Sequence, residues 1–149
     1  MQARTKNPAA IIAEAMEPLV ALGKIISSGP LPAKTRELVH LRTSQLNGCA
    51  MCIDQHISRS EETPQRLAAV AVWQDAPFFT DAERAALALA EAVTLVANHP
   101  DRVPDAVWNE AAKHYDEREL AQLVLAISVT NLYNRLNVTT RQVAGTRSW

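Results

Sequence analysis

Glycine occurs only four times in this chain of 149 residues. Its single Asn-Gly step, Asn47-Gly48, is not flanked by alternating apolar and polar runs, so no β-hairpin is signalled. A Gly-rich phosphate loop and a nucleotide fingerprint are both missing. Cysteine occurs twice, too rarely for the disulfide framework of a small secreted domain. No apolar run approaches the length of a membrane span. The opening stretch, "MQARTKNPAAIIAEAMEPLV", has no long apolar segment and no small-residue cleavage signal. It reads as a mature cytosolic start, and a cytoplasmic location is expected. Charge of one sign is not in excess either. Fifteen Lys and Arg face sixteen Asp and Glu, interspersed, for a formal net charge of -1. That balance gives no footprint for nucleic acid or for an anionic membrane.

What is present is an ordinary globular mixture, 48% hydrophobic and 21% charged. The length predicts one domain over residues 1–149, able to bury a core without metal or disulfide staples. Apolar residues recur at helical spacing nearly throughout, so the fold is expected to be all-α. Ile11, Ile12, Ala15, Met16, Leu19, Leu22 and Ile26 mark a first segment from about Pro8 to Ser28, with Pro18 expected to kink or divide it. "SSGPLP" breaks the chain. A second helix starts at about Pro32 and stops near Asn47-Gly48. A third runs from about Cys49 to Ser60, and Thr63-Pro64 opens a fourth. Thr80 and Glu83 form a capping box for a fifth helix that extends to about Asn98. A short helix begins near Pro104. Asp116 and Glu119 repeat the capping pattern for a long helix over about 116–134. "REL" at Arg36–Leu38 and again at Arg118–Leu120 hints at an internal helical repeat.

Both cysteines fall in "QLNGCAMCIDQHISRS" (45–60), as Cys49 and Cys52, with His56 four residues further on. On one helix these three side chains share a face. The sulfurs are then close enough for a disulfide. The free amides and positive dipole end at a helix N-terminus favour a thiolate, lowering a thiol from about 8.5 to roughly 3.5–7.5. A nearby imidazole can accept the proton. The dipole favours Cys49 as the attacking sulfur and the adjacent base favours Cys52, so helical geometry leaves that choice open. Two other readings stand beside the reactive dithiol. The cysteines could simply pack in the core. Alternatively, Cys49, Cys52 and His56 could hold zinc with a fourth ligand from His40, His99 or His114, although there is no second C-x-x-C and no H-x-x-x-H.

The stretch "ELVHLRTSQLNGCAMCIDQH" closely resembles the core motif of the AhpD-like alkylhydroperoxidases, within the carboxymuconolactone decarboxylase superfamily. The pattern E-x11-C-x2-C-x3-H fits Glu37, Cys49, Cys52 and His56. "AVWQDAPFFTDAERAALALAEAVT" (70–94) and "LAISVTNLYNRLNV" (125–138) resemble single-domain members as well. The resemblance implies an all-helical bundle of about six to eight helices that assembles as a homotrimer or homohexamer. It implies a thiol peroxidase acting on organic hydroperoxides and hydrogen peroxide, with no cofactor. By position, Cys52 is then the peroxidatic cysteine, Cys49 resolves it, and Glu37 and His56 form the proton relay. A separate thiol reductant, of lipoyl type in the family, would be its partner. The pattern departs at Met51, where the best-studied members carry a second histidine. The chain is also shorter than two-repeat members, so a full duplication is not expected. Two other functions compete. One is a lactone decarboxylase of the same superfamily, whose members generally lack the C-x-x-C. The other is a non-enzymatic redox sensor or disulfide-exchange adaptor.

Elsewhere, His40 shares a face with Glu37 and is a possible neighbour of the site, with a surface or packing role as the alternative. Trp73, Phe78, Phe79 and Trp108 are expected in the core or at a subunit interface. "NLYNRLN" (131–137) is unusually polar for the end of an apolar helix. Asn131, Asn134 and Arg135 there either line the site or simply end the helix.

Overall fold

The computed structural model describes residues 2–98 and 100–146. Among them are eight α-helices, two single 3-10 turns and no strand. The helices are α1 (Pro8–Ile11), α2 (Ala13–Ser27), α3 (Ala33–Leu46), α4 (Ala50–Ile57), α5 (Pro64–Ala69), α6 (Asp81–Thr94), α7 (Asp105–His114) and α8 (Glu117–Thr140). The 3-10 turns are Val70–Val72 and Val96–Asn98.

Local chemistry sets most of the boundaries. Thr80 Oγ1 accepts from Glu83 N–H while Glu83 Oε2 accepts from Thr80 N–H, which starts α6. Asp116 and Glu119 do the same for α8. Thr63 caps α5, with Pro64 in its first turn. Gly48, at φ 65°, follows the cap of α3 in a left-handed conformation that costs a residue with Cβ more. That turn brings α4 back against α3.

Four boundaries differ from the sequence expectation, one of them the end of α6, which stops at Thr94 rather than about Asn98 and is followed by the separate 3-10 turn Val96–Asn98. The first segment breaks at Ile12 (φ -95°, ψ 86°), and Pro18 sits inside an unbroken α2. Tertiary anchors lie on either side of that break. Before it, Asn7 bonds to Asn137 and Arg4 N–H to the Thr140 carbonyl. After it, Tyr133 Oη donates to the Leu19 carbonyl at 2.7 Å. Next, α4 stops at Ile57 rather than Ser60, because the following amides turn back to closer carbonyls: Arg59 N–H to His56 and Ser60 N–H to Ile57. Last, α8 continues past 134 to Thr140, where Arg141 caps it at φ 54°.

The core explains why α3 shows so little amphipathicity. Val39 faces one apolar cluster with Leu89, Leu123 and Ile127, while Leu38 and Leu41 face another with Val70, Trp73, Phe79 and Leu87. A helix buried on two sides has no single apolar stripe. α6 and α8 flank α3, and α4 packs along it. Of the four aromatics expected in the core or at an interface, Trp73 and Phe79 are buried, whereas Phe78 and Trp108 are exposed. α2 is held mainly through its second half. Ile26 packs on Ala126 and Val129, and Gln122 bridges the Ile26 carbonyl and the Leu31 N–H. A Cβ at Gly29 would collide with the Gln122 amide and push it out of these two bonds. No helix among the described residues is long and apolar enough to cross a membrane.

Candidate active site

The elbow between α3 and α4 carries the chemistry. Asn47, the last residue of the elbow's first arm, donates through its amide to Asn131 Oδ1 (2.9 Å) and Asn134 Oδ1 (3.0 Å) of α8. Asn134 in turn donates to Ser44 Oγ at 3.1 Å. The half-buried Asn47 amide and the buried Asn131 and Asn134 amides fix the elbow to α8 by satisfying one another. Cys49 follows as the N-cap of α4. Its N–H donates to the Ser44 carbonyl (2.9 Å), and its sulfur accepts from Cys52 N–H at 3.3 Å.

Cys49 and Cys52 form a disulfide with a Cα–Cα separation of 5.3 Å. Their exposures differ. Cys49 is 2% exposed, while Cys52 opens onto a cavity of about 860 Å³. Met51 between them is 1% exposed and turned into the protein, so the position that departs from the resemblance does not reach the cavity lining.

His56, Glu37 and His40 line the same cavity as Cys52. His56 meets Glu37 through the main chain: its Nε2 lies 2.9 Å from the Glu37 carbonyl oxygen. A carbonyl can only accept, so Nε2 carries the proton and the neutral ring keeps its lone pair on Nδ1. The hydrogen bond between the two residues of the implied relay is made by the Glu37 carbonyl and not by its carboxylate. Glu37 Oε1 is buried without a hydrogen-bond partner, and its charge acts on the ring through space. Burial holds the His56 pKa below its ordinary value. The Glu37 charge and the carbonyl bond oppose that shift, and Arg59 adds to it. His40 packs edge-to-face on His56 with centroids 5.5 Å apart. Burial, then the nearby His56 and Arg36 charges, pull its pKa down to about 3.

The rest of the cavity is amphipathic. Met16, Leu19 and Val20 of α2 form an apolar wall, and Lys34, Arg36, Arg59, Glu61 and Glu62 supply charge. Its volume falls in the range that holds small organic molecules. Of Asn131, Asn134 and Arg135, Asn134 lines the cavity. Asn131 is buried behind it, and exposed Arg135 donates to Asn131 Oδ1. Two further residues join the site, Asn137 of α8 and Asn7 before α1. Asn137 lines the cavity and donates to Cys52 Sγ at 3.4 Å, and Asn7 donates to Asn137. The available signal was the spacing of Asn131, Asn134 and Asn137, three amides three residues apart on one helix face.

Both sulfurs are engaged with one another. Among the described residues no group of three or more His, Cys, Asp or Glu is placed to hold a metal ion. His114 lies beside Glu110 on α7, and His99 lies outside the described residues.

The Carboxymuconolactone decarboxylase family profile matches residues 13–92. The uncharacterized protein YdfG of Bacillus subtilis (strain 168) is 37% identical over 131 residues, covering 86% of this chain and 88% of YdfG. A protein of unknown function from Agrobacterium tumefaciens, provisionally ascribed to AhpD antioxidant defence, superposes with a TM-score of 0.90 at 30% identity. That match covers 98% of this chain and all of the other. The debrominase Bmp8 shares the fold, with a TM-score of 0.77 at 20% identity over 92% of this chain and 74% of that one. The matched segment contains the whole Glu37–Cys49–Cys52–His56 pattern, and the likeness to the Agrobacterium protein runs from end to end. The chain is an AhpD-like member of the carboxymuconolactone decarboxylase family.

Proposed function

We propose that the chain is a thiol peroxidase that reduces organic hydroperoxides, and hydrogen peroxide, through a Cys49–Cys52 dithiol/disulfide cycle. One observation carries the reading: Cys52, already paired with a buried Cys49, opens onto the organic-sized cavity that His56 and Glu37 also line. In the reduced protein His56 takes the thiol proton of Cys52 at Nδ1, the nitrogen left without a proton. The Cys52 thiolate attacks the distal oxygen of the hydroperoxide. The O–O bond breaks, Cys52 becomes a sulfenic acid, and the alkoxide leaves as the alcohol with the proton held by His56. Cys49 then attacks Cys52 Sγ, closing the disulfide and releasing water. An external dithiol restores the pair by exchange. The N-terminus of α4 lies beneath both sulfurs and favours the anionic form.

The α2 wall supports an organic substrate, since hydrogen peroxide alone needs far less room. It also favours an enzyme over a disulfide-exchange adaptor, which needs exposed sulfurs and no cavity. A reducing cytoplasmic compartment would keep the resting enzyme in the dithiol form. Exposed Ile11, Ile12, Ile25, Leu125 and Leu132 suit a homotrimer or homohexamer in which copies cover them. The test is steady-state reduction of an organic hydroperoxide with a dithiol donor. Wild type should turn over and Cys52→Ser should not. Equal turnover by Cys52→Ser would end this reading.

A further inference from the structure

A single directed chain of hydrogen bonds runs from the backbone at the start of α1 to the sulfur of Cys52. Asn7 is 2% exposed, and Asn137 is 5% exposed. Ala9 N–H donates to Asn7 Oδ1 at 2.9 Å. Asn7 Nδ2 donates to Asn137 Oδ1 at 2.8 Å. Asn137 Nδ2 donates to Cys52 Sγ at 3.4 Å. An amide side chain has two ends, and either could face a neighbour. Here the direction is settled at the far end, because a backbone N–H can only donate. It therefore takes the oxygen of Asn7, which turns the Asn7 NH₂ toward Asn137. Asn137 must then present its oxygen to Asn7 and its NH₂ to the sulfur.

We propose that Asn137 is a catalytic residue whose amide N–H stabilises the Cys52 thiolate, and that Asn7 is a positioning residue that fixes the direction of that donor. The proposal deepens the peroxidase reading and rests on Cys52 being the attacking sulfur. A disulfide sulfur is a weak acceptor, whereas a thiolate is a charged one, so the contact strengthens on reduction. The donor approaches from α8, on a different helix from His56, and serves a different step. His56 removes the proton, and Asn137 holds the charge that remains. Charged and titratable groups also face the sulfur's cavity. They are Lys34, Arg36, Glu37 and His40 from α3, His56 of α4, Arg59, Glu61 and Glu62 after it, and Tyr133 from α8. The variants below leave all of them in place.

The test uses the full chain with Cys49→Ser, which leaves Cys52 as its single thiol, and follows the rate of iodoacetamide alkylation against pH. The inflection reports ionisation of Cys52 whether or not the protein turns over a peroxide. With Asn137→Ala added, the inflection should rise by about one unit, a tenfold smaller thiolate fraction below it, as expected for losing a hydrogen bond to a charged group. Asn7→Ser keeps an N-cap for α1 but is too short to reach Asn137. It should shift the inflection in the same direction by less. Profiles that superimpose on the parent for both variants would overturn the proposal. If Asn137→Ala loses its helical circular dichroism, Asn7→Ser decides alone: an upward shift supports the chain of donors and no shift refutes it. Failure of every variant, and of wild type, to reduce hydroperoxide would sink the peroxidase reading and leave this result standing.

Discussion

Acidification should destabilise the fold through His40, by an amount that follows from where that ring sits. His40 lies on α3 against His56. Burial, reinforced by the neighbouring His56 and Arg36 charges, lowers its pKa to about 3 in the folded protein. In the unfolded chain it titrates near its ordinary value of about 6.5. Between those values the unfolded chain binds a proton that the folded chain refuses. Stability contributed by neutral His40 is therefore complete above the unfolded value and is lost as pH falls below it. At about pH 4.5, two units into that window, the loss is about 2–3 kcal/mol, at about 1.36 kcal/mol per unit. Against a net stability of about 5–15 kcal/mol this is a large share. Glu83 does not confuse the window. Burial tends to raise its pKa, but the hydrogen bond and charge of Arg66 outweigh that and hold it low, so its contribution fades only below the ordinary carboxylate range. Urea unfolding of the oxidised protein, at neutral pH and at about pH 4.5, measures the effect for wild type and His40→Gln. Wild type should lose about 2 kcal/mol more than the variant over that interval. Equal losses would show that His40 is not held neutral by the fold.

Other outcomes follow from the same geometry. Glu37→Gln removes the charge that favours protonated His56 but keeps the main-chain carbonyl that orients the ring, so the fold and disulfide formation should survive. The catalytic rate should fall on the order of a hundredfold. Because the His56 pKa drops further without that charge, the acid limb of the pH–rate profile should move to lower pH. A near-normal rate with an unmoved profile would remove Glu37 from the relay. The exposed apolar residues on α1, α2 and α8 should drive self-association to a trimer or hexamer, read by sedimentation velocity at micromolar concentration, and a monomer would contradict it. In Cys49→Ser, peroxide should carry Cys52 beyond the sulfenic acid to irreversible oxidation, seen as added oxygen by mass spectrometry.

The elements that could be read from the sequence are those governed by neighbours in the chain. Thr80–Glu83 and Asp116–Glu119 cap their helices with partners three residues away, and Cys49 and Cys52 meet because i and i+3 share a helix face. Gly48 ends α3 for a backbone reason that any context would respect. What could not be read depends on partners far along the chain. The break at Ile12 reflects anchors to α8 on either side of it. Pro18, the local breaker, is absorbed within α2. The bond from Glu37 to His56 comes from its carbonyl rather than its carboxylate, and no sequence spacing distinguishes the two. Asn137 is an ordinary residue near a helix end until the fold brings it to a sulfur 85 positions away.

The central claim is that Cys52 attacks peroxide and Cys49 closes the disulfide, and a single turnover tests it most directly. Fully reduced protein is mixed with one equivalent of an organic hydroperoxide without any reductant, then quenched, and its thiols and mass are read together. Wild type should consume the equivalent, lose both thiols and gain no oxygen, ending as the Cys49–Cys52 disulfide. Cys49→Ser should consume the same peroxide and carry one oxygen on Cys52. Cys52→Ser should leave peroxide and thiol untouched. The account is contradicted if Cys52→Ser consumes peroxide as fast as Cys49→Ser, or if wild type keeps both thiols while the hydroperoxide remains.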